Sequence, residues 1–161
     1  MRVGRSATRW GSTRIPYPEA VPGQTSSSVS IDAGPDEVMA VIADFDAYPE
    51  WVDSMARTTV LRETDGRADE VEMVLAHPLF SDTYVLAYDW APETVSWRLV
   101  RGSRLTAMDG SYVLAPGDGG TTVTYTLAVD TSLPVVGLLR RKAERTIVDG
   151  ALRGLKRRVE A

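Results

Sequence analysis

The sequence predicts an α+β protein in which a sheet wraps one long C-terminal helix. Three observations carry that prediction. Between Pro134 and Val159, the residues Val136, Leu139, Ala143, Ile147, Gly150, Ala151 and Gly154 recur at three- and four-residue intervals, the period of one helix face. Between Ala56 and Asp130, apolar residues instead alternate with polar ones in short runs, as in strands with one buried side. Short turn-forming segments separate those runs, so successive strands should pair antiparallel.

The elements follow in order. Thr25–Ile31 alternates small polar residues with Val29 and Ile31 and reads as a first strand. Asp32-Ala33-Gly34-Pro35-Asp36-Glu37 opens a helix: Pro fits its first turn, and acids there favour the positive end of the helix dipole. Val38, Val41 and Ile42 give it an apolar side up to Asp44, and Asp46–Val52 reads as a second, shorter helical turn broken by Pro49. Ala56–Arg62 and the run through Val71, Met73 and Leu75 are joined by Thr64-Asp65-Gly66, an Asp-Gly hairpin signal. Tyr84, Leu86 and Tyr88 follow the His77-Pro78 break, and Val95, Trp97 and Leu99 form the next run. Leu105–Ala115 and the run through Val123, Tyr125, Leu127 and Val129 flank Pro116-Gly117-Asp118-Gly119-Gly120, the clearest turn in the chain. The last helix would be about 35 Å long, enough to cross a small domain.

Residues 1–24 carry Arg, Ser, Gly and Pro without apolar periodicity and are read as a flexible basic tail before a domain spanning residues 25–161. The tail has no apolar stretch of the length a signal peptide needs, and no run approaches a membrane span. With no Cys in 161 residues, disulfides and thiolate chemistry are excluded, which fits a cytoplasmic protein. The net charge of −4 is unevenly spread. Residues 1–24 hold four basic groups against one acid, residues 25–133 six against eighteen, and residues 134–161 eight against three. The far face of the last helix is therefore basic, either as a solvated balance to the acidic sheet or as a surface for anionic membrane or ribosome contact. Specific DNA binding is not expected.

Asp44-Phe45-Asp46-Ala47-Tyr48-Pro49-Glu50-Trp51 resembles the hallmark of the polyketide cyclase/dehydrase and lipid-transport family, in the START/Bet v 1-like superfamily. Trp97-Arg98-Leu99, Gly110-Ser111-Tyr112, Gly120–Tyr125 and Leu152–Glu160 are similar to it as well, so the resemblance covers about residues 25–160. It implies a helix-grip fold: a curved, seven-stranded antiparallel sheet around the C-terminal helix, two short helices after strand 1, and an apolar cavity between sheet and helix. Coenzyme Q-binding proteins and a ribosome-association toxin are among the closer relatives it suggests. A shared fold leaves the activity open.

The cavity is expected to be lined by the in-facing parity of the strands, Met73, Leu75, Tyr84, Leu86, Trp97, Leu99, Met108, Tyr112 and Tyr125, and by Leu139, Ala143, Ile147, Gly150 and Gly154 of the helix. Phe45 and Trp51 would plug one end. Two glycines on a buried helix face either leave room for a ligand or permit close helix–sheet contact. Arg98 could anchor a polar headgroup. No catalytic residue, cofactor or metal site is assigned. Asp44, Asp46 and Glu50 read as capping and solvated acids, and His77, the only His, reads as a turn residue despite Ser81 and Asp82 nearby. The expected function is binding or carrying a hydrophobic small molecule such as a lipid, quinone or polyketide-like compound. The alternatives are a cyclase or dehydratase acting on such a molecule, and a ribosome- or RNA-associated factor.

Overall fold

The computed structural model describes residues 23–78, 80–132 and 137–161. All but the last two residues of the predicted tail lie outside these, as do Pro134 and Val136. The chain runs β1 (Thr25–Ile31), α1 (Pro35–Ala43), a 3-10 turn (Phe45–Ala47), α2 (Tyr48–Trp51), β2 (Met55–Thr64), β3 (Arg67–His77), β4 (Phe80–Trp90), β5 (Thr94–Gly102), β6 (Leu105–Gly117), β7 (Gly120–Thr131) and α3 (Gly137–Glu160). The strands form one seven-stranded antiparallel sheet in the order β1-β7-β6-β5-β4-β3-β2. The fold is a helix-grip fold.

Local chemistry sets the joints. Thr64 pairs with Arg67 across Asp65 (φ 52°) and Gly66 (φ 79°), both in the left-handed region that a tight hairpin requires. α1 starts at Pro35, with Asp36 and Glu37 in its first turn. Between β5 and β6 the buried Asp82 carboxylate accepts backbone N–H groups from Ser103 (3.1 Å), Arg104 (3.0 Å) and Leu105 (2.9 Å). That arrangement satisfies a turn's donors with one charged acceptor. Asp82 thus builds the scaffold, its two oxygens taken up by backbone N–H groups.

The in-facing side chains of the sheet, including Val71, Met73, Tyr84, Leu86, Val95, Trp97, Leu114, Val123 and Leu127, form the core with Val38, Ile42 and Phe45. α3 packs chiefly on β1 and β7, at one edge of the sheet. Its buried residues are Glu144, Val148, Ala151, Leu152, Gly154 and Leu155. This face lies about one residue, or roughly 100°, around the helix from the stripe the apolar spacing predicts. Leu139 and Ala143, both expected to line the cavity, do not: Leu139 is 60% exposed and Ala143 is half-buried, off the helix's contact face. The reason is Glu144: a fully buried carboxylate occupies the helix's contact line, where an apolar pattern would not place it. Its Oε2 accepts from the Val129 N–H at 2.8 Å and its Oε1 from the Thr25 hydroxyl at 3.3 Å, so α3 is hydrogen-bonded to both strands it covers.

Candidate ligand-binding cavity

Because α3 covers the β1–β7 edge, the sheet from β3 to β6 keeps part of its concave face free of the helix. A cavity of about 190 Å³ opens there. Its floor is Met73, Leu75, Tyr84, Leu86, Tyr88, Trp97, Met108, Tyr112 and Tyr125 from the sheet. Thr146, Ile147, Gly150, Ala151 and Arg153 of α3 form one wall, and Tyr48, Val52, Asp53, Ser54 and Met55 close the end, with His77 at the rim. Of the predicted lining, the eight sheet residues Met73, Leu75, Tyr84, Leu86, Trp97, Met108, Tyr112 and Tyr125, together with Ile147 and Gly150, do meet at one cavity.

The others do not line it, each for a visible reason. Leu99 is half-buried and packs on the core at a bulge between β4 and β5. Arg98 is exposed, on the opposite parity from Trp97, so it cannot anchor a headgroup inside. Gly154 touches the core where a side chain cannot fit: a Cβ there would stand 2.3 Å from the Trp51 carbonyl oxygen. Of the two readings of the helix glycines, close contact holds at Gly154. At Gly150 a Cβ would meet nothing within 4 Å, and there the space is open. Phe45 and Trp51 are buried behind the end wall rather than on its surface: their rings lie 4.8 Å and 4.9 Å from that of Tyr48, which itself faces the cavity.

Tyrosine dominates the polar chemistry. Tyr48, Tyr84, Tyr88, Tyr112 and Tyr125 all contribute to the lining, and Tyr112 and Tyr125 approach to 4.6 Å between ring centroids, each about 5.5 Å from Trp97. Trp97 lies across its cross-strand partner Gly110, where any Cβ would strike the indole at 2.3 Å. Burial raises the phenol pKa of all five tyrosines, and neighbouring groups raise it further, Asp82 acting on Tyr84 and Tyr112 on Tyr125. At neutral pH every one is an O–H group. The Tyr48 hydroxyl donates to the Ile42 carbonyl, fixing the end wall to α1.

Sequence reasoning missed Tyr48, Tyr88 and the rim. Tyr88 shares the parity of Tyr84 and Leu86, so alternation alone could have placed it. Nothing in the spacing marks Asp53, Ser54, His77 or Arg153, which converge only through the fold. His77 is the last residue of β3, not a free turn residue. Ser54 sits at the mouth with φ 71°, and its carbonyl accepts from the Ala76 N–H at 2.8 Å, tying the end wall to β3.

An open antiparallel sheet gripping one helix over an apolar, phenol-lined cavity defines a helix-grip ligand-cavity protein. The chain belongs to the polyketide cyclase/dehydrase and lipid transport family, whose model matches residues 22–160. Solved structures share its fold. A START superfamily protein from Mycobacterium smegmatis has a TM-score of 0.79 at 24% identity, covering 85% of this chain and 97% of that one. The Zhui aromatase/cyclase from Streptomyces sp. R1128 has a TM-score of 0.72 at 17% identity, covering 85% and 93%. A STAR-related lipid transfer protein from Xanthomonas axonopodis has a TM-score of 0.64 at 23% identity, covering 86% of each chain. No functionally curated protein matches the sequence.

Proposed function

We propose that the protein binds and carries a small hydrophobic molecule bearing hydrogen-bond-accepting oxygens, a quinone, phenolic or polyketide-like compound, in the cavity between sheet and α3. The observation that carries this reading is the lining: apolar side chains interrupted by five neutral tyrosines, with one guanidinium among the described residues, Arg153, on the exposed helix flank. Apolar walls supply affinity through burial, and a few phenol donors fix orientation, the usual division of labour in ligand sites. The size narrows the class. A cavity near 150 Å³ accepts benzene, whereas sites for drug-sized ligands span roughly 300–1,000 Å³. At about 190 Å³ the cavity suits a one- or two-ring molecule, and a longer ligand would extend through the mouth. Solvent extraction of the purified protein and native mass spectrometry should reveal such a ligand or its uptake. Failure of both extraction and titration with quinones, phenols and lipids would overturn the proposal.

One observation supports an enzymatic second reading. His77, Asp53 and Ser54 stand at the rim of a cavity already rich in phenol donors. Cyclisation or dehydration of a poly-ketone needs a group to accept a proton and donors to polarise carbonyls, in a pocket that holds the chain folded. His77→Ala would then abolish turnover of a poly-ketone while leaving its binding intact. Binding without any turnover in the wild-type chain would reject the reading.

A further inference from the structure

The exposed flank of α3 beside the cavity mouth carries a pattern the cavity does not use. Leu139, Lys142, Thr146, Gly150, Arg153 and Arg157 recur every three or four residues, so they share one stripe along the helix. Thr146, Gly150 and Arg153 are also cavity-lining residues, which puts the mouth in the middle of that stripe. Leu138 and Leu139 are 77% and 60% exposed, unusually bare for adjacent leucines. Three other cations on α3 are already engaged: Lys156 with Glu160 (2.8 Å) and the Ser30 carbonyl, Arg158 with Glu50 (2.9 Å), and Arg140 near Asp130 (4.0 Å). Among the described residues, Arg141, Lys142, Arg145, Arg153 and Arg157 form no ion pair. Three acids lie close by: Asp149 on the helix, Glu160 in a groove with Arg153 and Arg157 but paired with Lys156, and Asp53 across the mouth. α3 as a whole carries eight cations against three acids.

We infer that this stripe seats the protein on an anionic lipid bilayer, with the cavity mouth against the surface. Bare leucines flanked by unpaired cations combine the two terms of interfacial binding, apolar insertion and attraction to anionic headgroups. Among the described residues no helix is long and apolar enough to cross a membrane, so the contact inferred here is of α3 lying along the surface. The charge distribution favours a lipid surface over nucleic acid. Residues 25–133 carry eighteen acids against six basic groups, which would repel an extended polyanion reaching past the helix, and phosphate contacts give bare leucines nothing to bind. Seating is independent of what fills the cavity. Direct passage of ligand between bilayer and cavity rests on the binding reading above.

Flotation of the full chain with vesicles tests it, using phosphatidylcholine alone or mixed with phosphatidylglycerol. The expected result is partitioning onto the anionic vesicles, weakened by salt. Each basic side chain at such a surface contributes about fivefold. Lys142→Gln with Arg157→Gln should therefore weaken partitioning about thirtyfold, and Leu139→Asp should weaken it separately. Arg98→Gln with Arg101→Gln, exposed cations of β5, should leave it unchanged. The inference is overturned if anionic vesicles are not preferred, if the stripe variants float like wild type, or if single-stranded RNA at equal phosphate concentration displaces the vesicles. A chain that floats yet takes up no naphthoquinone would uphold the seating and count against the ligand.

Discussion

Glu144 is the residue on which the packing of α3 turns. A carboxyl with 0% exposure at a helix–sheet interface faces a strong desolvation cost, and burial raises its pKa above the ordinary carboxylate value. The Val129 N–H, the Thr25 hydroxyl and the nearby Arg140 and Arg141 oppose that shift without cancelling it. The folded chain thus holds this proton more tightly than the unfolded chain. Stability from this group is present below the unfolded value, about 4.3, and is lost as pH rises through the folded value. Glu144→Gln removes the titration and keeps an acceptor for the Val129 N–H, while its amide N–H donates to the Thr25 hydroxyl in place of the bond that hydroxyl now donates. It should be more stable than wild type at neutral pH in urea unfolding, with the advantage disappearing near pH 4. An equal difference at both pH values would contradict the account. Sequence reading could not find Glu144, because its apolar neighbours suggest a stripe one position away, and a partner as distant in sequence as Thr25 leaves no local signal.

At the scale of elements, α3 does two things along one length. Its packed line, Val148, Leu152 and Leu155, holds the β1–β7 edge, while Ile147, Gly150 and Ala151 form a wall of the cavity. Its glycines divide accordingly. Gly154 lets α3 approach the end of α2, so Gly154→Ala should lose about 1–2 kcal/mol in thermal or chemical unfolding, because overpacking outweighs the gain in helix propensity. A variant more stable than wild type would refute that contact. The strands were legible throughout, since period-two alternation and the Asp65-Gly66 turn follow from local chemistry. Helix existence and length were legible too. Which glycine leaves room and which one touches depended on the height of α2 against α3, a tertiary fact that spacing does not encode.

At the scale of the molecule, the cavity follows from asymmetry. One helix cannot cover seven strands, and here it covers the edge formed by β1 and β7. The uncovered strands meet Tyr48 and the α2–β2 loop instead, and large tyrosines partly fill what remains. The sheet side of this site could be read from parity alone. Its rim could not, because His77, Ser54 and Arg153 come from three elements far apart in sequence.

The most direct test is calorimetric titration of naphthoquinone into the wild-type chain and into Gly150→Leu. Gly150 lines the cavity and a Cβ there meets nothing within 4 Å, so leucine should reach into the site from an unstrained backbone position. The predicted result is saturable binding to wild type, with a folded Gly150→Leu variant that binds about tenfold more weakly or not at all, a loss of about 1.4 kcal/mol or more. Equal binding by both chains, or none by wild type, would contradict the cavity as the site.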